Sequence, residues 1–222
     1  MRYIVANWKQ NMVFDATLLW LAEFGRLSAG RSFGCKVVLA PSFLFLPVVS
    51  SYAQKLNIAV AAQSVSSYDD GAHTGQIGAK QIRKFCEFAI VGHSDLSESV
   101  DAVLRQRDLC LKVGITPLVC FVSQKDAVKY AASGAVLVWE DPRNISEAGT
   151  YVSKDPGEVR EGLLEIKESL DPKVPVLYGG SVNRDNAYDL ELIDCLDGVL
   201  VGNAALDPKH FSNIIGKFEK NV

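Results

Sequence analysis

The chain has 222 residues, 48% of them hydrophobic and 22% charged, which is the composition of a globular protein with a large core. The formal net charge of −3 and the absence of basic runs argue against a protein that binds nucleic acid or an anionic membrane surface. No apolar run is long enough to span a membrane, and the first residues lack the pattern of a secretory signal, so we expect a cytoplasmic protein.

The five cysteines are widely spaced and odd in number, and no two of them form a C-x-x-C pair. This spacing argues against a structural zinc site or a thioredoxin-type centre. Most of them lie in or beside apolar segments, as reduced cysteines of a protein core do. We therefore expect free thiols and no metal site.

Eight short apolar runs, punctuated by glycine or proline, predict eight β-strands. The runs are Tyr3–Ala6, Val37–Ala40, Ile58–Ala62, Phe88–Val91, Thr116–Val122, Ala135–Trp139, Val174–Tyr178 and Gly198–Val201. Segments with helical periodicity lie between most of them, at Asp15–Leu27, Pro47–Leu56, Gln76–Lys84, Leu96–Val113, Pro156–Leu170 and Pro208–Glu219. The connection between Val122 and Ala135 leaves room for only one short helix.

Strands and helices that alternate along the whole chain indicate parallel βαβ units. Eight such units fit a closed (β/α)8 barrel better than an open sheet, and neither a linker nor a change in composition divides the chain. We therefore predict an α/β protein in which residues 1–222 form a single (β/α)8 barrel domain. In this fold the loops that follow the strands carry the functional site.

Polar residues that suit acid–base chemistry follow three of the predicted strands. Asn7 and Lys9 follow the first strand, His93 the fourth and Glu140 the sixth. Each of them alone is as readily a solvated or structural side chain as a functional one. Because the barrel brings the strand ends together, Lys9, His93 and Glu140 predict a site in which a proton is moved and negative charge is stabilised.

Glycine-bearing loops follow the seventh and eighth predicted strands, as Gly179-Gly-Ser181 and Gly202-Asn203. These two loops are the usual phosphate site of a (β/α)8 barrel, because glycine lets backbone amides approach the anion. The motifs of nucleotide-driven phosphoryl transfer, zinc proteolysis and serine hydrolysis are missing from the sequence. The remaining interpretation is acid–base chemistry on a small phosphorylated compound, without a cofactor.

An ordered set of short motifs along nearly the whole chain resembles the triosephosphate isomerases. The motifs are Asn7-Trp-Lys9-x-Asn11, Ala62-Gln63, Gly71-Ala-His-Thr74-Gly75, Val91-Gly-His93-Ser94, Cys120, Glu140, Tyr178-Gly-Gly-Ser-Val-Asn183 and Asp197-Gly-Val-Leu-Val-Gly202. The short length and the tight connection before Glu140 resemble the compact, archaeal-like forms of that family. The resemblance implies a TIM barrel that interconverts dihydroxyacetone phosphate and D-glyceraldehyde 3-phosphate in glycolysis and gluconeogenesis.

The resemblance also implies a role for each residue of the site. Glu140 matches the general base, His93 the neutral electrophile, Lys9 the electrostatic anchor and Asn7 its partner near the substrate oxygens. Ser181, Gly202 and Asn203 match the phosphate cradle. A helix over Leu96–Val113 would place its N-terminus beside His93.

Three departures from the family pattern lie close to these residues. The segment Asp141–Thr150 matches the family's lid, and there Ser146 takes the place of a phosphate-contacting glycine. Asp95 stands where the family has a glutamate, which shortens the carboxylate that faces Lys9. Ser123 stands near the place of a second family glutamate.

The loop around Thr74 resembles the loop that members of the family insert into a neighbouring subunit. The resemblance therefore implies a homodimer or homotetramer with a small phosphorylated substrate. Two alternatives stay open. The altered segment after Glu140 would suit another phosphate-binding barrel enzyme, such as a sugar-phosphate isomerase or epimerase, or a non-catalytic phosphate-binding relative. A binding protein has little use for Lys9, His93 and Glu140 together.

Overall fold

The computed structural model describes residues 1–141, 144 and 153–219 and shows a closed barrel of eight parallel strands. The strands are β1 (Tyr3–Asn7), β2 (Lys36–Ala40), β3 (Ala59–Ala62), β4 (Phe88–Val91), β5 (Thr116–Phe121), β6 (Val136–Trp139), β7 (Val176–Tyr178) and β8 (Gly198–Val201). Each strand pairs with the next, and β8 pairs with β1 to close the barrel. The predicted (β/α)8 fold is confirmed, whereas the assignment of residues 1–222 to one domain stays a prediction.

Eight α-helices lie in the described residues. They are α1 (Phe14–Ser28), α2 (Leu46–Leu56), α3 (Ala79–Ile82), α4 (Val100–Lys112), α5 (Ala127–Tyr130), α6 (Pro156–Glu168), α7 (Ala187–Glu191) and α8 (Pro208–Phe218). The short α5 agrees with the tight connection between Val122 and Ala135. Helix α7 has no counterpart among the predicted helices, because five residues are too few to show helical periodicity. Within the described chain, no helix has both the length and the apolar character needed to cross a membrane.

Two helices are shorter than the sequence pattern predicts. The helix predicted over Gln76–Lys84 is reduced to α3, and the helix predicted over Leu96–Val113 begins only at Val100. A 3-10 turn over Ser94–Leu96 precedes it and ends at Ser97, whose φ of 50° is incompatible with a continuing helix. The residues that directly follow His93 therefore form a 3-10 turn rather than the first turn of α4.

The apolar core forms two layers, one inside the barrel and one between the barrel and the helices. The inner layer consists of side chains of modest size from all eight strands: Val5, Val38, Ala40, Ala59, Ala61, Phe88, Ile90, Leu118, Cys120, Val136, Val138, Leu177 and Leu200. The alternate residues of the same strands, such as Leu137 and Trp139, pack outward against the helices. This alternation follows from the period of two along a strand and decides which residue at each strand end faces inward.

The alternation places polar residues at the mouth of the barrel. Val136 and Val138 face inward in β6, so Glu140 continues the same row at the carboxyl end of that strand. Asn7 follows the inward Val5 in β1 in the same way, and Gly202 follows the inward Leu200 of β8. Side chains from distant parts of the chain therefore converge on one end of the barrel.

The reactivity of the thiols tests this packing. Burial raises the pKa of Cys35 and Cys110 to about 12 and that of Cys86 to about 11, while Cys195 is only half-buried. Because the thiolate is the reactive form, we expect an aromatic disulfide reagent at mildly alkaline pH to label Cys195 first. The other thiols should react only after unfolding, which mass spectrometry of the labelled peptides can map. Rapid labelling of Cys110 in the folded protein would contradict the described core.

Candidate active site

The carboxylate of Glu140 lies at the centre of the polar cluster at the mouth and is only 1% exposed. Its Oε2 accepts a hydrogen bond from the backbone N–H of Ser94 at 2.9 Å, and its Oε1 lies 3.0 Å from Nε2 of His93. Burial of a charged carboxylate is costly unless its oxygens accept hydrogen bonds. The segment that follows β4 therefore provides a polar contact for each carboxylate oxygen of Glu140.

The imidazole of His93 is held in one tautomer. Its Nδ1 accepts a hydrogen bond from the backbone N–H of Asp95 at 3.1 Å. A ring nitrogen that accepts carries no proton, so the proton of the neutral ring is on Nε2, which lies 3.0 Å from Oε1 of Glu140. The 3-10 turn after His93 thus makes the imidazole a hydrogen-bond donor toward the mouth of the barrel.

Gly92 allows this arrangement between β4 and His93. Its φ of 69° lies in the left-handed region, and a Cβ at this position would lie 2.9 Å from both γ-carbons of Val103. Any other residue is therefore opposed by both the backbone conformation and the packing. The left-handed residue interrupts the alternation of β4 and directs His93 toward Glu140.

Lys9 is placed by contacts from three neighbouring segments. Its Nζ lies 2.9 Å from Oδ2 of Asp95, so the aspartate reaches the lysine despite its shorter side chain. The backbone N–H of Lys9 donates to Oδ1 of Asn7 at 3.1 Å, and its C=O accepts from the side-chain amide of Gln63 at 2.9 Å. These bonds hold Lys9 at a φ of 49°, which an L-residue rarely adopts without support.

Cys120 lies in the inner layer of the barrel, on the neighbouring strand β5. Burial, together with the nearby carboxylate of Glu140, raises its pKa well above the usual value of a thiol. The thiol therefore stays neutral, and it adds no negative charge beside the carboxylate.

The loops that follow β7 and β8 contain the residues predicted to bind phosphate. Ser181 is buried and has a φ of 45°. Gly202 precedes the 3-10 turn over Asn203–Leu206, and a Cβ at Gly202 would meet no atom within 4 Å. A ligand therefore has room to approach the backbone there. A Cβ on Gly179 would lie 3.3 Å from Cγ of Glu140, which places the β7 loop directly against the carboxylate.

Ser146 and most of the segment predicted to be the lid lie outside the described residues. The two flanks of this segment are described and lie close together, with Nζ of Lys154 3.3 Å from Oδ2 of Asp141. Lys154 also lies over the ring of Trp139, at 5.1 Å from its centroid. Asp141 and Lys154 thus connect the end of β6 to the start of α6.

The family model described as Triosephosphate isomerase matches residues 2–140 and 124–218. The chain belongs to the triosephosphate isomerase family. It is 28% identical to the triosephosphate isomerase of Aquifex aeolicus (strain VF5), over 98% of this chain and 99% of that protein. It is 30% identical to that of Mesomycoplasma hyopneumoniae (strain 7448), over 96% of this chain and 98% of that protein, and 28% identical to that of Polynucleobacter asymbioticus, over 94% and 96%.

The comparisons confirm the predicted triosephosphate isomerase family and, with it, the prediction of an isomerase. The two matched segments overlap at residues 124–140, which contain the short α5 and lead to Glu140. The divergent segment that begins at Asp141 follows immediately. The resemblance to the compact, archaeal-like forms of triosephosphate isomerase stays a prediction.

The structure brings Asn7, Lys9, His93 and Glu140 together at the mouth, although their roles stay predictions. It adds contacts that the sequence pattern does not predict. The backbone N–H groups of Ser94 and Asp95 orient the carboxylate and the imidazole, and Gln63 supports Lys9. Backbone donors have no signature in residue type. Gln63 has a sequence signal only as part of the Ala62-Gln63 motif.

The tautomer of His93 is directly testable. We expect nitrogen NMR of the protein at neutral pH to show Nδ1 of His93 as an unprotonated acceptor and Nε2 bearing the proton, because the N–H of Asp95 donates to Nδ1. A His93→Gln variant identifies the signal. Detection of the proton on Nδ1 would contradict the described site.

Proposed function

We propose that this member of the triosephosphate isomerase family interconverts dihydroxyacetone phosphate and D-glyceraldehyde 3-phosphate, with Glu140 as the base. The observation that carries the proposal is the contact between Oε1 of Glu140 and Nε2 of His93 at the mouth, beside the Lys9–Asp95 ion pair. The relatives named as triosephosphate isomerases favour this function over another sugar-phosphate enzyme or a non-catalytic binding protein.

Glu140 supplies the proton transfer in this proposal. Its carboxylate removes a proton from the substrate carbon next to the carbonyl group, and the electron pair forms a carbon–carbon double bond while the carbonyl oxygen becomes an enediolate oxygen. The same carboxyl group then returns the proton to the former carbonyl carbon, while the hydroxyl group on the first carbon loses its proton and becomes the new carbonyl group. That hydroxyl proton passes to the former carbonyl oxygen by way of Nε2 of His93. One carboxylate oxygen accepts from Ser94 and the other contacts His93 in the described state, so Glu140 exchanges at least one of these contacts for the substrate.

Two groups stabilise the negative charge that develops on the enediolate. The Nε2–H of His93 donates to the substrate oxygens once Glu140 has moved, and the ammonium group of Lys9 adds a positive charge. Asn7 lies beside Lys9 and accepts its backbone N–H, so it fixes the position of the lysine and contributes its amide near the same oxygens. No cofactor is required, because the proton leaves and returns through one carboxyl group.

The phosphate group of the substrate binds, in this proposal, between the loops after β7 and β8. Ser181 contributes its hydroxyl and backbone amide, and Gly202 and Asn203 contribute backbone amides. Ser146 completes the cradle from the segment after Glu140. The open space above Gly202 supports this placement.

Removal of the base is the sharpest test of the proposal. We expect Glu140→Ala and Glu140→Gln to lower kcat/KM for glyceraldehyde 3-phosphate by about 10³-fold or more, because neither variant accepts the proton. A coupled assay on purified protein measures this loss. The control is Glu161→Gln, which removes an exposed carboxylate from α6 and should retain the wild-type rate. Wild-type-like turnover by either Glu140 variant would refute the assignment of the base.

The same assay with longer sugar phosphates separates the alternatives. A clear preference for a longer substrate would indicate a different sugar-phosphate enzyme. Binding of a phosphorylated inhibitor without turnover of any substrate would indicate a non-catalytic relative.

We also propose a homodimer or homotetramer that forms through the rim of the barrel at the carboxyl ends of β1 to β3. The loop Gly71–Gln76 is exposed throughout, and Thr74 lies at its centre. On the loops after β1 and β2, at the same end of the barrel, Val13 is 67% exposed and Leu44 is 83% exposed. Exposed apolar side chains on loops at the same end of the barrel as this loop support an interface between copies of the chain. The sequence pattern does not identify this apolar part of the rim.

Ion pairs and a ring contact stabilise the segment that leads into the loop Gly71–Gln76. Lys112 and Lys80 contact the carboxylate of Asp69, and they hold the pKa of that exposed carboxyl group well below its usual range. The ring of His73 stacks on Tyr68 with 4.3 Å between the centroids. The loop is therefore presented in one defined arrangement, which favours docking into a second copy.

A charge at the tip of the loop tests the interface. We expect Thr74→Arg to weaken self-association by about tenfold or more, because a buried, unpaired charge opposes an apolar contact. Light scattering coupled to size-exclusion chromatography over a range of concentrations measures the shift. The control is Asn213→Arg on the exposed face of α8. A wild-type protein that stays monomeric at all concentrations would contradict the proposed assembly.

The location of the protein in the cytoplasm and its place in glycolysis and gluconeogenesis are part of the same proposal. They rest on the two triose phosphates, which are intermediates of those pathways.

A further inference from the structure

The side chain of Asn186 connects two segments that flank the predicted phosphate site. Its Nδ2 donates to the C=O of Ser181 at 3.1 Å and to Oγ of Ser153 at 3.0 Å. Its Oδ1 accepts from the backbone N–H of Asn183 at 2.9 Å. Ser181 and Asn183 belong to the loop after β7, whereas Ser153 is the first described residue after the divergent segment that follows Glu140. One amide group thus satisfies three partners.

These bonds matter because Ser181 adopts a conformation that needs support. Its φ of 45° lies in the left-handed region, where a residue with a Cβ is disfavoured. Its C=O accepts from two side-chain amides, those of Asn183 and Asn186, at 3.1 Å each. Anchoring a carbonyl group fixes the orientation of its peptide plane. The direction in which Ser181 presents its own polar groups therefore depends on these anchors.

Asn183 and Asn186 differ in what else they hold. The side chain of Asn183 is buried, and its Oδ1 accepts from the backbone N–H of Asp185 at 2.8 Å, so its bonds stay within the loop. Asn186 alone of the two also reaches Ser153. Asn186 therefore links the β7 loop to the segment that contains Ser153, on the other side of the predicted site.

We propose that Asn186 is a positioning residue for the phosphate end of the site: it holds Ser181 in its left-handed conformation and ties the β7 loop to Ser153. The inference rests on the proposed function, in which Ser181 binds the phosphate of the substrate. Asn186 does not contact the carboxylate of Glu140 or the imidazole of His93 among the described contacts. Its effect is therefore on recognition of phosphate rather than on proton transfer.

The test compares substrates with and without the phosphate group. We expect Asn186→Ala to raise the dissociation constant of inorganic phosphate, measured by phosphorus NMR titration, by about tenfold, the effect of losing roughly two hydrogen bonds. The ratio of kcat/KM for glyceraldehyde 3-phosphate to kcat/KM for unphosphorylated D-glyceraldehyde should fall by a similar factor. Most of the change should appear in KM.

Two further variants separate the contacts. Ser153→Ala removes only the bond between the segments and should change the same ratio in the same direction by a smaller factor. Asn213→Ala deletes an amide whose described hydrogen bond stays within α8, at the C=O of Lys209, and should leave the ratio unchanged. Thermal unfolding of all variants reports any loss of stability separately from phosphate binding.

Clear outcomes would overturn the inference. An unchanged phosphate dissociation constant in Asn186→Ala would do so, and so would an equal loss of activity toward the phosphorylated and unphosphorylated substrates. Failure of the proposed function looks different, because the wild type itself would then turn over neither triose. Phosphate binding by wild type and variant would still decide the role of Asn186 in that case.

Discussion

The buried carboxylate of Glu140 is the group on which the arrangement of the mouth depends. This carboxylate is only 1% exposed; one oxygen accepts a hydrogen bond from the N–H of Ser94, and the other lies 3.0 Å from Nε2 of His93. Those donors are in place because Gly92 turns the chain and the 3-10 turn directs the N–H of Asp95 at Nδ1 of His93. Asp95 then also faces Lys9. The carboxylate of Glu140, the imidazole of His93 and the ammonium group of Lys9 are therefore organised by four consecutive residues after β4.

The sequence predicts most of the scaffold because the barrel depends on patterns that are visible in one dimension. Apolar runs mark all eight strands, and Glu140 follows the last residue of β6 as the pattern indicates. The helix predicted over Leu96–Val113 is wrong at its start, because its periodicity extends through Ser97, whose left-handed backbone is invisible in residue type. Likewise, the bonds from Ser94 and Asp95 use backbone N–H groups that every residue except proline has. Residue types predict which groups are present, and local backbone conformation decides where they point.

The reacting end and the phosphate end of the proposed substrate bind to parts of the site that are stabilised in different ways. In the proposed function, the reacting carbons and oxygens lie against Glu140 and His93, which are buried and accept hydrogen bonds from backbone N–H groups. The phosphate, in the same proposal, lies against the loop that contains Ser181, whose left-handed backbone is held by neighbouring asparagines. Asn186 contacts Ser153 and Lys154 contacts Asp141, so these two side chains connect the flanks of the segment predicted to be the lid to the rest of the site. The site therefore tolerates sequence changes in the segment after Glu140 as long as Asn186 and Lys154 are retained.

Closure of the barrel has a consequence for how the protein folds. Strand β1 pairs with β8, so residues from opposite ends of the chain become neighbours, with Tyr3 opposite Gly198. Contacts between such distant residues carry the largest loop-closure entropy and form slowly unless local structure precedes them. Asn7 and Lys9 stand on one side of this seam and Gly202 on the other. A partly folded chain that contains every helix and seven paired strands still lacks the seam, and therefore lacks a complete site. Recovery of function during refolding thus requires the pairing of β1 with β8 in addition to the formation of secondary structure.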